Sequence, residues 1–296
     1  MRNNPFIEKL LVETQAFTDL EQPVILASGE LGIYYVNTEK LSKDNGKWEQ
    51  YGNDSLGMIY HSVITTQNNP SFKEVINQLS EGVQSLFPIK SNQKIAVSGG
   101  QRRDWIFSGP IAHQLQVPHI SLYKDGKVEL IDTKNGGSTI ENPQLDNYKL
   151  VHVVDLITKG SSIYHSENGK EKGWVPMLRE RGASIDHLVA VVTRNQDGER
   201  LMARQGVIVH PMVSIDEKFL EKYSNNPERA LAYNANPHKW TCKYLEENGA
   251  AMFADYFDPQ KGKQDRAFKM LDKYRTTDGL AELESVVNQR YGIKFK

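Results

Sequence analysis

The chain has 296 residues with 36 Lys or Arg and 37 Asp or Glu, so its formal net charge is −1. This balance gives no overall field that would attract nucleic acid or an acidic membrane surface, and any site for a polyanion must be local. The single Cys242 can form no internal disulfide, no long apolar segment of the secretory kind opens the chain, and no apolar run approaches the ~20 residues of a membrane span. We therefore expect a soluble, cytoplasmic, globular protein that binds neither nucleic acid nor membranes.

The first predicted elements are a helix over residues 6–17 and two short strands at 24–26 and 34–36, which flank the polar turn ASGELG. Residues 37–57 are polar and rich in Lys, Asn and Gly, so they are expected to form a surface excursion. Residues 71–87 repeat apolar side chains every three or four positions after a Ser, which predicts an amphipathic helix with a Ser N-cap.

Strands and helices alternate from residue 95 onward. The predicted strands are 95–97, 119–123, 150–154, 187–193 and 207–211, and the predicted helices are about 104–115, 175–181 and 199–204. Strands rich in Val, Leu and Ile between amphipathic helices indicate a parallel sheet flanked by helices on both faces. Such sheets bind ligands at the carboxyl ends of their strands. The loops to consider therefore follow Val97, Tyr123, Val154 and Thr193.

Residues 151–162 read VHVVDLITKGSS, a strand that ends near Asp155 and continues into a short loop. The loop offers backbone N–H groups and three hydroxyls around Gly160, whose missing side chain lets a ligand come close. It is suited to a phosphate monoester, while Asp155 can accept hydrogen bonds from sugar hydroxyls or lie near a ligand-bound metal. The alternative is an ordinary strand-to-helix turn in which the Asp caps its own backbone. The candidate phosphate ligands are Thr158, Lys159, Gly160, Ser161 and Ser162.

Four segments, in the same order along the chain, resemble the type I phosphoribosyltransferases and in particular the orotate phosphoribosyltransferases. VHVVDLITKGSS (151–162) resembles the ribose-phosphate signature, and ASGELGIYYVN (27–37) resembles a segment with Ser-Gly followed by two aromatics. LYKDGK (122–127) resembles the Arg-Lys-Glu-x-Lys stretch at the root of the mobile catalytic loop. Residues 188–217 resemble the Asp-Arg-Gln strand end with the following strand and helix, so the resemblance spans roughly residues 6–223.

The resemblance implies a fold and a division of the chain. It predicts a parallel sheet flanked by helices in a phosphoribosyltransferase-like domain over residues 1–223. Within that domain, residues 6–60 would be a small hood and an insertion, and residues 71–214 the α/β core. Residues 224–296 carry no motif and would form a helical C-terminal extension.

The resemblance also implies an activity, which is displacement of diphosphate from 5-phosphoribosyl 1-diphosphate (PRPP) by a nitrogen base. Orotate is the favoured base, which would give orotidine 5′-phosphate and a place in pyrimidine biosynthesis. The implied catalytic residues are Asp155, Lys124 and Lys127; diphosphate would lie beside Gly99, Gly100, Arg102 and Arg103, and the base beside Ser28, Gly29, Tyr34, Tyr35 and Arg194. Mg²⁺ would arrive with PRPP rather than be held by the protein alone, with Asp155 as its neighbour. The family's loop further implies a homodimer.

Four departures from the family pattern remove charge near this multiply charged ligand. Val154 stands where an acid usually precedes Asp155, and Tyr123 stands for the Arg of the Arg-Lys pair. Ala27 replaces a Lys, and residues 128–138 replace the His-Gly-Glu-Gly part of the loop. Two alternatives therefore stay open: a phosphoribosyltransferase for another base, and a non-catalytic nucleotide or PRPP sensor.

The cationic residues of the predicted site could also have roles that involve no ligand. Arg102 and Arg103 could bind diphosphate bidentately, or lie in a solvated turn in which Asp104 caps the next helix. Arg194 could be a surface ion pair, and Lys159 could point to water. The sequence has neither a Walker loop nor a GxGxxG or HExxH motif, which argues against a P-loop enzyme, a standard dinucleotide enzyme and a zinc hydrolase.

Overall fold

The structure is a computed structural model that describes residues 2–26, 28–44, 46–87, 94–134, 137–275 and 280–295. The chain divides into two compact units. The core unit comprises Met1–Ala16 and Val36–Asp216, and the second unit comprises Phe17–Tyr35 and Glu217–Lys296. In the part of the chain that is described, none of the helices has the length and apolar character needed to cross a bilayer.

The core unit contains a seven-stranded sheet in the order β11-β10-β7-β3-β4-β5-β6. Its strands are β3 (Lys94–Gly100), β4 (His119–Leu122), β5 (Val128–Ile131), β6 (Thr139–Glu141), β7 (Tyr148–Ile157), β10 (Ser184–Thr193) and β11 (Ile208–Ser214). The first five strands in spatial order are parallel, and β5 and β6 continue the sheet in antiparallel register. The predicted parallel sheet is therefore confirmed, while the antiparallel ribbon occupies the segment where sequence reasoning predicted only an altered loop.

Helices cover the sheet of the core unit. They are α1 (Pro5–Glu13), α2 (Ser55–Asn68), α3 (Pro70–Leu86), α4 (Asp104–Gln114), α5 (Trp174–Arg179) and α6 (Gly198–Arg204), together with the 3₁₀ helices Thr38–Ser42 and Lys47–Tyr51. Helix α3 has its N-cap two residues earlier than predicted, because Asn69 rather than Ser71 accepts from the amide of Phe72 and Pro70 opens the helix. Helix α2 was not predicted, since its buried face includes Ser55 and Ser62, which weaken the apolar periodicity.

The buried core on one face of the sheet explains why its strands are nearly continuous in apolar residues. Val154 of β7 packs there with Trp174 and Leu178 of α5 and with Met202 of α6. A short exposed hairpin, β8 (His165–Glu167) and β9 (Lys170–Lys172), lies in sequence between β7 and α5. It turns through Asn168 and Gly169, both with positive φ, so the Asn-Gly pair was the signal that could have predicted it.

The second unit combines a hairpin from early in the sequence with the C-terminal helices. Its elements are β1 (Phe17–Ile25), β2 (Leu31–Val36), α7 (Glu217–Tyr223), α8 (Pro227–Ala235), α9 (Pro237–Asn248), α10 (Gln264–Tyr274) and α11 (Leu280–Tyr291), with 3₁₀ helices Ala251–Phe257 and Pro259–Lys261. Ile25 and Leu31 share one apolar cluster with Phe253, Phe257 and Met270. The prediction grouped the hairpin with the core and set residues 224–296 apart, whereas this shared cluster joins the hairpin to the C-terminal helices.

Candidate active site

A cavity of about 390 Å³ lies in the core unit and is lined by residues that follow or end β3, β4 and β7. These parallel strands are neighbours, so their carboxyl ends meet at one edge of the sheet. The lining residues are Gln101, Arg102, Arg103, Asp104, Lys124, Val154, Asp155, Leu156, Ser162, Ile163 and Trp174. Five predicted site residues are thus brought together around one space: Arg102, Arg103, Lys124, Asp155 and Ser162. Gly99, Gly100, Lys127 and residues 158–161 are not among the residues that line it.

The Asp155 carboxylate is held in place by groups from three parts of the core unit. Thr38 donates a hydrogen bond from Oγ1 to Asp155 Oδ2 at 2.8 Å, and Arg103 Nη1 lies 3.6 Å from the same oxygen. The backbone amide of Asp155 donates to Asp104 Oδ1 at 2.8 Å. Asp155 is therefore anchored at its side chain and at its backbone.

Arg103 is the counter-ion of two acids, while Arg102 is not. Arg103 Nε lies 3.4 Å from Glu39 Oε1, and the other end of the guanidinium approaches Asp155. Burial raises the pKa of Glu39, and the Arg103 charge partly offsets that rise. The Arg102 guanidinium lines the cavity and makes neither an ion pair nor a hydrogen bond with another described residue. The Arg102 charge also lowers the pKa of Glu39, but less than the Arg103 charge does. Arg102 is therefore the less compensated of the two arginines.

Asp104 connects the loop after β3 with β7. Its Oδ2 accepts from the amide of Gly100 at 3.0 Å, and its Oδ1 accepts from the amide of Asp155. Burial, followed by the Asp155 carboxylate, raises the pKa of Asp104 well above its usual range. Sequence reasoning saw Asp104 only as a helix cap and missed Thr38 and Glu39 altogether, because both lie in the segment predicted to be a surface excursion.

Gly99 and Gly100 have a packing reason to be glycine. A Cβ at Gly99 would lie 2.2 Å from Ser108 Oγ, and one at Gly100 would lie 2.3 Å from Trp174 Nε1. Both distances are far below any real contact, so a side chain at either position would push α4 or α5 away from β3. Their implied role at the diphosphate stays a prediction.

The loop at residues 158–162 leaves its donors available. The carbonyl oxygen of Gly160 accepts from the amides of Ile163 and Tyr164, both at 3.0 Å, which folds the loop back on itself. Gly160 has φ +75, a conformation that side chains other than glycine rarely adopt. Among the residues that the structure covers, none accepts from the amides of Gly160, Ser161 and Ser162 or from the hydroxyls of Thr158, Ser161 and Ser162. Lys159 is exposed.

The two lysines of the predicted catalytic loop have different surroundings. Lys124 is exposed and lines the cavity, and its backbone amide donates to Gln101 Oε1 at 2.9 Å. Lys127 Nζ lies 2.7 Å from Glu129 Oε1 and 2.8 Å from Glu141 Oε1, and these hydrogen bonds raise its pKa. Lys127 is thus paired with the acids of β5 and β6, while Lys124 faces the candidate ligand space.

Tyr123, which stands in place of the family's Arg, belongs to the same ribbon. Burial, followed by the hydrogen bond that its hydroxyl donates to Glu129, raises the pKa of Tyr123 to about 12. Ser55 also donates to Glu129, at 2.7 Å. Tyr123 therefore stabilises the ribbon through a neutral hydroxyl and supplies no charge to a ligand.

The predicted base-binding residues fall in both units. Arg194, in the core unit, is only 4% exposed and its amide donates to the carbonyl of Ile157 at 2.8 Å. Tyr35, in the second unit, is 43% exposed. Tyr34 is 0% exposed; its ring lies between Phe17 and Tyr233, with centroids 5.5 Å and 5.8 Å away. A ring covered in this way has no open face for a base, so Tyr34 is a core residue of the second unit.

The Ser28-Gly29 turn also has a structural explanation. Gly29 has φ +80, and a Cβ there would lie 2.6 Å from the carbonyl carbon of Lys269 in α10. Ser28 Oγ accepts from the amide of Glu30 at 3.4 Å, an ordinary turn contact. Ala27 lies outside the described residues. The turn is thus shaped to pack on α10, and a role of Ser28 and Gly29 at a base stays a prediction.

Comparison with known proteins agrees with this geometry. No protein-family model matches the chain. The adenine phosphoribosyltransferase of Shewanella frigidimarina is 24% identical over 184 residues, which cover 55% of this chain and 97% of that protein. The orotate phosphoribosyltransferase of Methanocorpusculum labreanum is 35% identical over 69 residues, 23% of this chain and 36% of that protein. The structure of Leishmania donovani UMP synthase superposes with a TM-score of 0.51 at 13% identity, covering 77% of this chain and 41% of that one.

The fold is that of a parallel α/β protein with its candidate site at the carboxyl edge of the sheet. Both curated relatives are phosphoribosyltransferases, one for adenine and one for orotate. The chain is therefore similar to phosphoribosyltransferases in sequence and has the type I phosphoribosyltransferase fold.

Proposed function

We propose that the protein transfers the phosphoribosyl group of PRPP to a nitrogen base, with orotate as the favoured acceptor. The observation that carries the proposal is the cavity at the ends of β3, β4 and β7, where Arg102, Lys124 and Asp155 meet Ser162, the last residue of the loop at 158–162. Unpaired cations, a carboxylate and free backbone donors are the groups that a sugar bearing one phosphate and one diphosphate needs.

The reaction would break the bond between C1 of the ribose and the diphosphate oxygen and form a bond from C1 to a ring nitrogen of the base. Positive charge develops on the ribose ring and negative charge on the departing diphosphate. Arg102 and Lys124 would stabilise the diphosphate, and Asp155 would orient the ribose hydroxyls and stabilise the ring cation. The contribution of the protein is then mainly positioning and preorganised charge.

The 5-phosphate would bind in the loop at 158–162. The amides of Gly160, Ser161 and Ser162 and the hydroxyl of Thr158 have no partner among the described residues, so they can donate to the phosphate without losing an internal hydrogen bond. Lys159 adds a positive charge at the exposed side of the loop. The loop would thus fix one end of PRPP while Arg102 and Lys124 fix the other.

Mg²⁺ is the proposed cofactor. No group of three or more His, Cys, Asp or Glu side chains is arranged to hold a metal ion in the described ranges. The donor set fits an ion that arrives with PRPP, with phosphate and ribose oxygens supplying most ligands and Asp155 near it. Bound in this way, Mg²⁺ would neutralise charge on the diphosphate.

Orotate is favoured over other bases because the resemblance assigns Arg194, which follows β10, to the base. Arg194 is 4% exposed and is not among the residues that line the cavity. Adenine is the second candidate, since the adenine phosphoribosyltransferase of Shewanella frigidimarina aligns over 97% of its length. A homodimer is proposed from the resemblance of the loop to that of the family.

A non-catalytic PRPP sensor is the rival from another class. Val154, which stands for the family's first acid, is only 1% exposed inside the core and contributes no charge. A protein of this kind would bind PRPP through the same cavity and release no diphosphate.

The test is release of diphosphate from PRPP with Mg²⁺ and orotate, adenine or other bases, measured beside PRPP binding by calorimetry. We expect release with orotate and none from Asp155→Asn, which removes the charge that would stabilise the ribose cation. Release with adenine alone would reassign the acceptor. PRPP binding without release from any base would establish the sensor, and absence of both would contradict the proposed site.

A further inference from the structure

The Asp104 side chain joins two parts of the proposed site that are more than fifty residues apart in sequence. Its two carboxyl oxygens accept from the amides of Gly100, at the end of β3, and of Asp155, in β7, at 3.0 Å and 2.8 Å. The residue is 7% exposed and lines the cavity. One buried carboxyl therefore holds the diphosphate loop and the ribose-binding acid at a fixed separation.

These hydrogen bonds are not those of a helix cap. Asp104 is the first residue of α4, and the position before it, Arg103, makes no side-chain hydrogen bond to the helix. Both acceptor oxygens of Asp104 are used by amides that lie outside α4. The reading in which Asp104 simply caps its own helix is therefore wrong.

Because Val154 is buried and uncharged, the second carboxyl group near Asp155 comes from Asp104. Val154 points into the apolar core beside Trp174, so the chain position just before Asp155 supplies no second acid. Asp104 comes instead from α4 and approaches Asp155 closely enough that the Asp155 carboxylate, after burial, is the largest cause of its raised pKa. Asp104 thus places a second carboxyl group beside Asp155, held there by the hydrogen bond from the Asp155 amide.

We propose that Asp104 is the second carboxyl of the site and acts as a positioning residue, which fixes Asp155 against the ribose while it ties the diphosphate loop to β7. The proposal rests on the proposed transferase function. Asp104 touches neither reacting atom; it acts through the two amides that it holds. The charged groups around the pair are Asp155 itself, Arg103 from the loop after β3 and Glu39 from the 3₁₀ helix Thr38–Ser42.

The test compares the full-length protein with Asp104→Asn and with the matched control Asp186→Asn, an exposed acid of β10. In Asp104→Asn one carbonyl oxygen remains for one amide, but an NH₂ group faces the other amide. We expect kcat for diphosphate release to fall at least tenfold, with KM for PRPP changed less than threefold. The acid limb of the pH profile should also move, because the variant lacks the Asp104 carboxyl group, whose pKa is raised by burial and by the Asp155 carboxylate. The control Asp186→Asn should match the wild type in kcat, in KM for PRPP and in the pH profile.

Two further measurements separate positioning from general damage to the fold. Exchange of the Gly100 and Asp155 amides should accelerate in Asp104→Asn, while amides of α3 keep their rates. Asp104→Ser has a smaller side chain that reaches one amide at most, so it should also lower kcat. It provides a second test if Asp104→Asn does not fold. An active wild type whose Asp104 variants keep kcat and the pH profile overturns the positioning role alone. A wild type that releases no diphosphate with any base overturns the role together with the proposed function.

Discussion

Arg102 and Arg103 are adjacent in sequence, but their guanidinium groups differ in charge balance. Arg103 lies between Glu39 and Asp155, so much of its charge is already compensated inside the core unit. Arg102 lines the cavity and interacts with Glu39 only at longer range, since none of the ion pairs found among the described residues includes it. An anionic ligand should therefore interact mainly with Arg102, whereas Arg103 organises the acids.

Arg102→Ala should weaken binding of PRPP by about 1–3 kcal/mol, the usual value of a hydrogen bond to a charged group. Calorimetric titration of PRPP with Mg²⁺ measures this change. The matched control is Arg204→Ala, which removes an exposed Arg from the last turn of α6. An unchanged dissociation constant for Arg102→Ala would show that Arg102 does not bind PRPP and is a solvated turn residue.

His119 and His152 make folding sensitive to acid. Both side chains are buried, on the strands that flank β3, and burial lowers each pKa from 6.5 to about 3. His119 is hydrogen-bonded with Ser108 at 2.7 Å, and His152 with Ser98 at 2.9 Å. Their imidazoles stay neutral in the folded protein over a range in which they would be charged in the unfolded chain.

The free energy of unfolding should therefore be constant above pH 6.5 with respect to these groups and should fall as the pH drops from 6.5 towards 3. The unfolded state takes up protons in this window that the folded state does not, and each His contributes a slope of about 1.4 kcal/mol per pH unit. Urea unfolding between pH 7 and pH 4 measures the slope. His152→Leu should remove about one such increment, and a variant slope equal to that of the wild type would show that His152 titrates normally.

At the scale of elements, the loop at 158–162 depends on one backbone conformation. Gly160 has φ +75, and a Cβ there would be 3.5 Å from the nearest atom, an ordinary contact. Substitution would therefore strain the backbone without a clash. The strain would redirect the amides of Ser161 and Ser162 that are proposed to hold the 5-phosphate.

Gly160→Ala should cost about 1–2 kcal/mol of stability from the left-handed backbone and should weaken PRPP binding as well. Gly206→Ala is a matched control, because Gly206 has φ +72 and open space around its Cβ position. The control should lose similar stability, by thermal unfolding, and keep its affinity for PRPP. Equal affinities in the two variants would mean that the loop does not hold the phosphate.

At the scale of the whole molecule, the second unit is assembled from two distant stretches of sequence. Phe257 is fully buried in the cluster that contains Ile25 and Leu31 of the hairpin, and Tyr233 donates a hydrogen bond to the Leu31 carbonyl at 2.8 Å. The hairpin and the C-terminal helices should therefore unfold together.

Phe257→Ala should lower the free energy of unfolding of this unit by about 3–5 kcal/mol, as expected for a buried aromatic. Hydrogen exchange should accelerate at the amides of Leu26 and Gly29 in the hairpin turn together with those of α10. Met252→Ala, at a side chain that is 42% exposed, is the control. It should change neither the free energy of unfolding nor the exchange rates of these amides. Faster exchange in α10 with an unchanged hairpin turn would mean that the two stretches unfold independently.

Sequence reasoning succeeded where local pattern decides structure. The strand containing Val151 and Val153 is buried on both faces, which makes it a continuous apolar run. The parallel arrangement then places Asp155 and Arg102 in the lining of one cavity. Reasoning failed where distant segments meet. Thr38 reaches Asp155 across 117 residues, and nothing in a polar 3₁₀ helix indicates that contact.

The strands β4, β5 and β6 are ordered by side-chain contacts around Glu129, one of which comes from Ser55 of α2. Lys127 bridges Glu129 and Glu141, and Glu129 also accepts from Tyr123 and Ser55. A segment that is already fixed loses little conformational entropy when a ligand binds beside it. A ligand that binds at this edge of the sheet should therefore cost little conformational entropy of the protein. Its affinity should depend chiefly on the charged side chains that line the cavity.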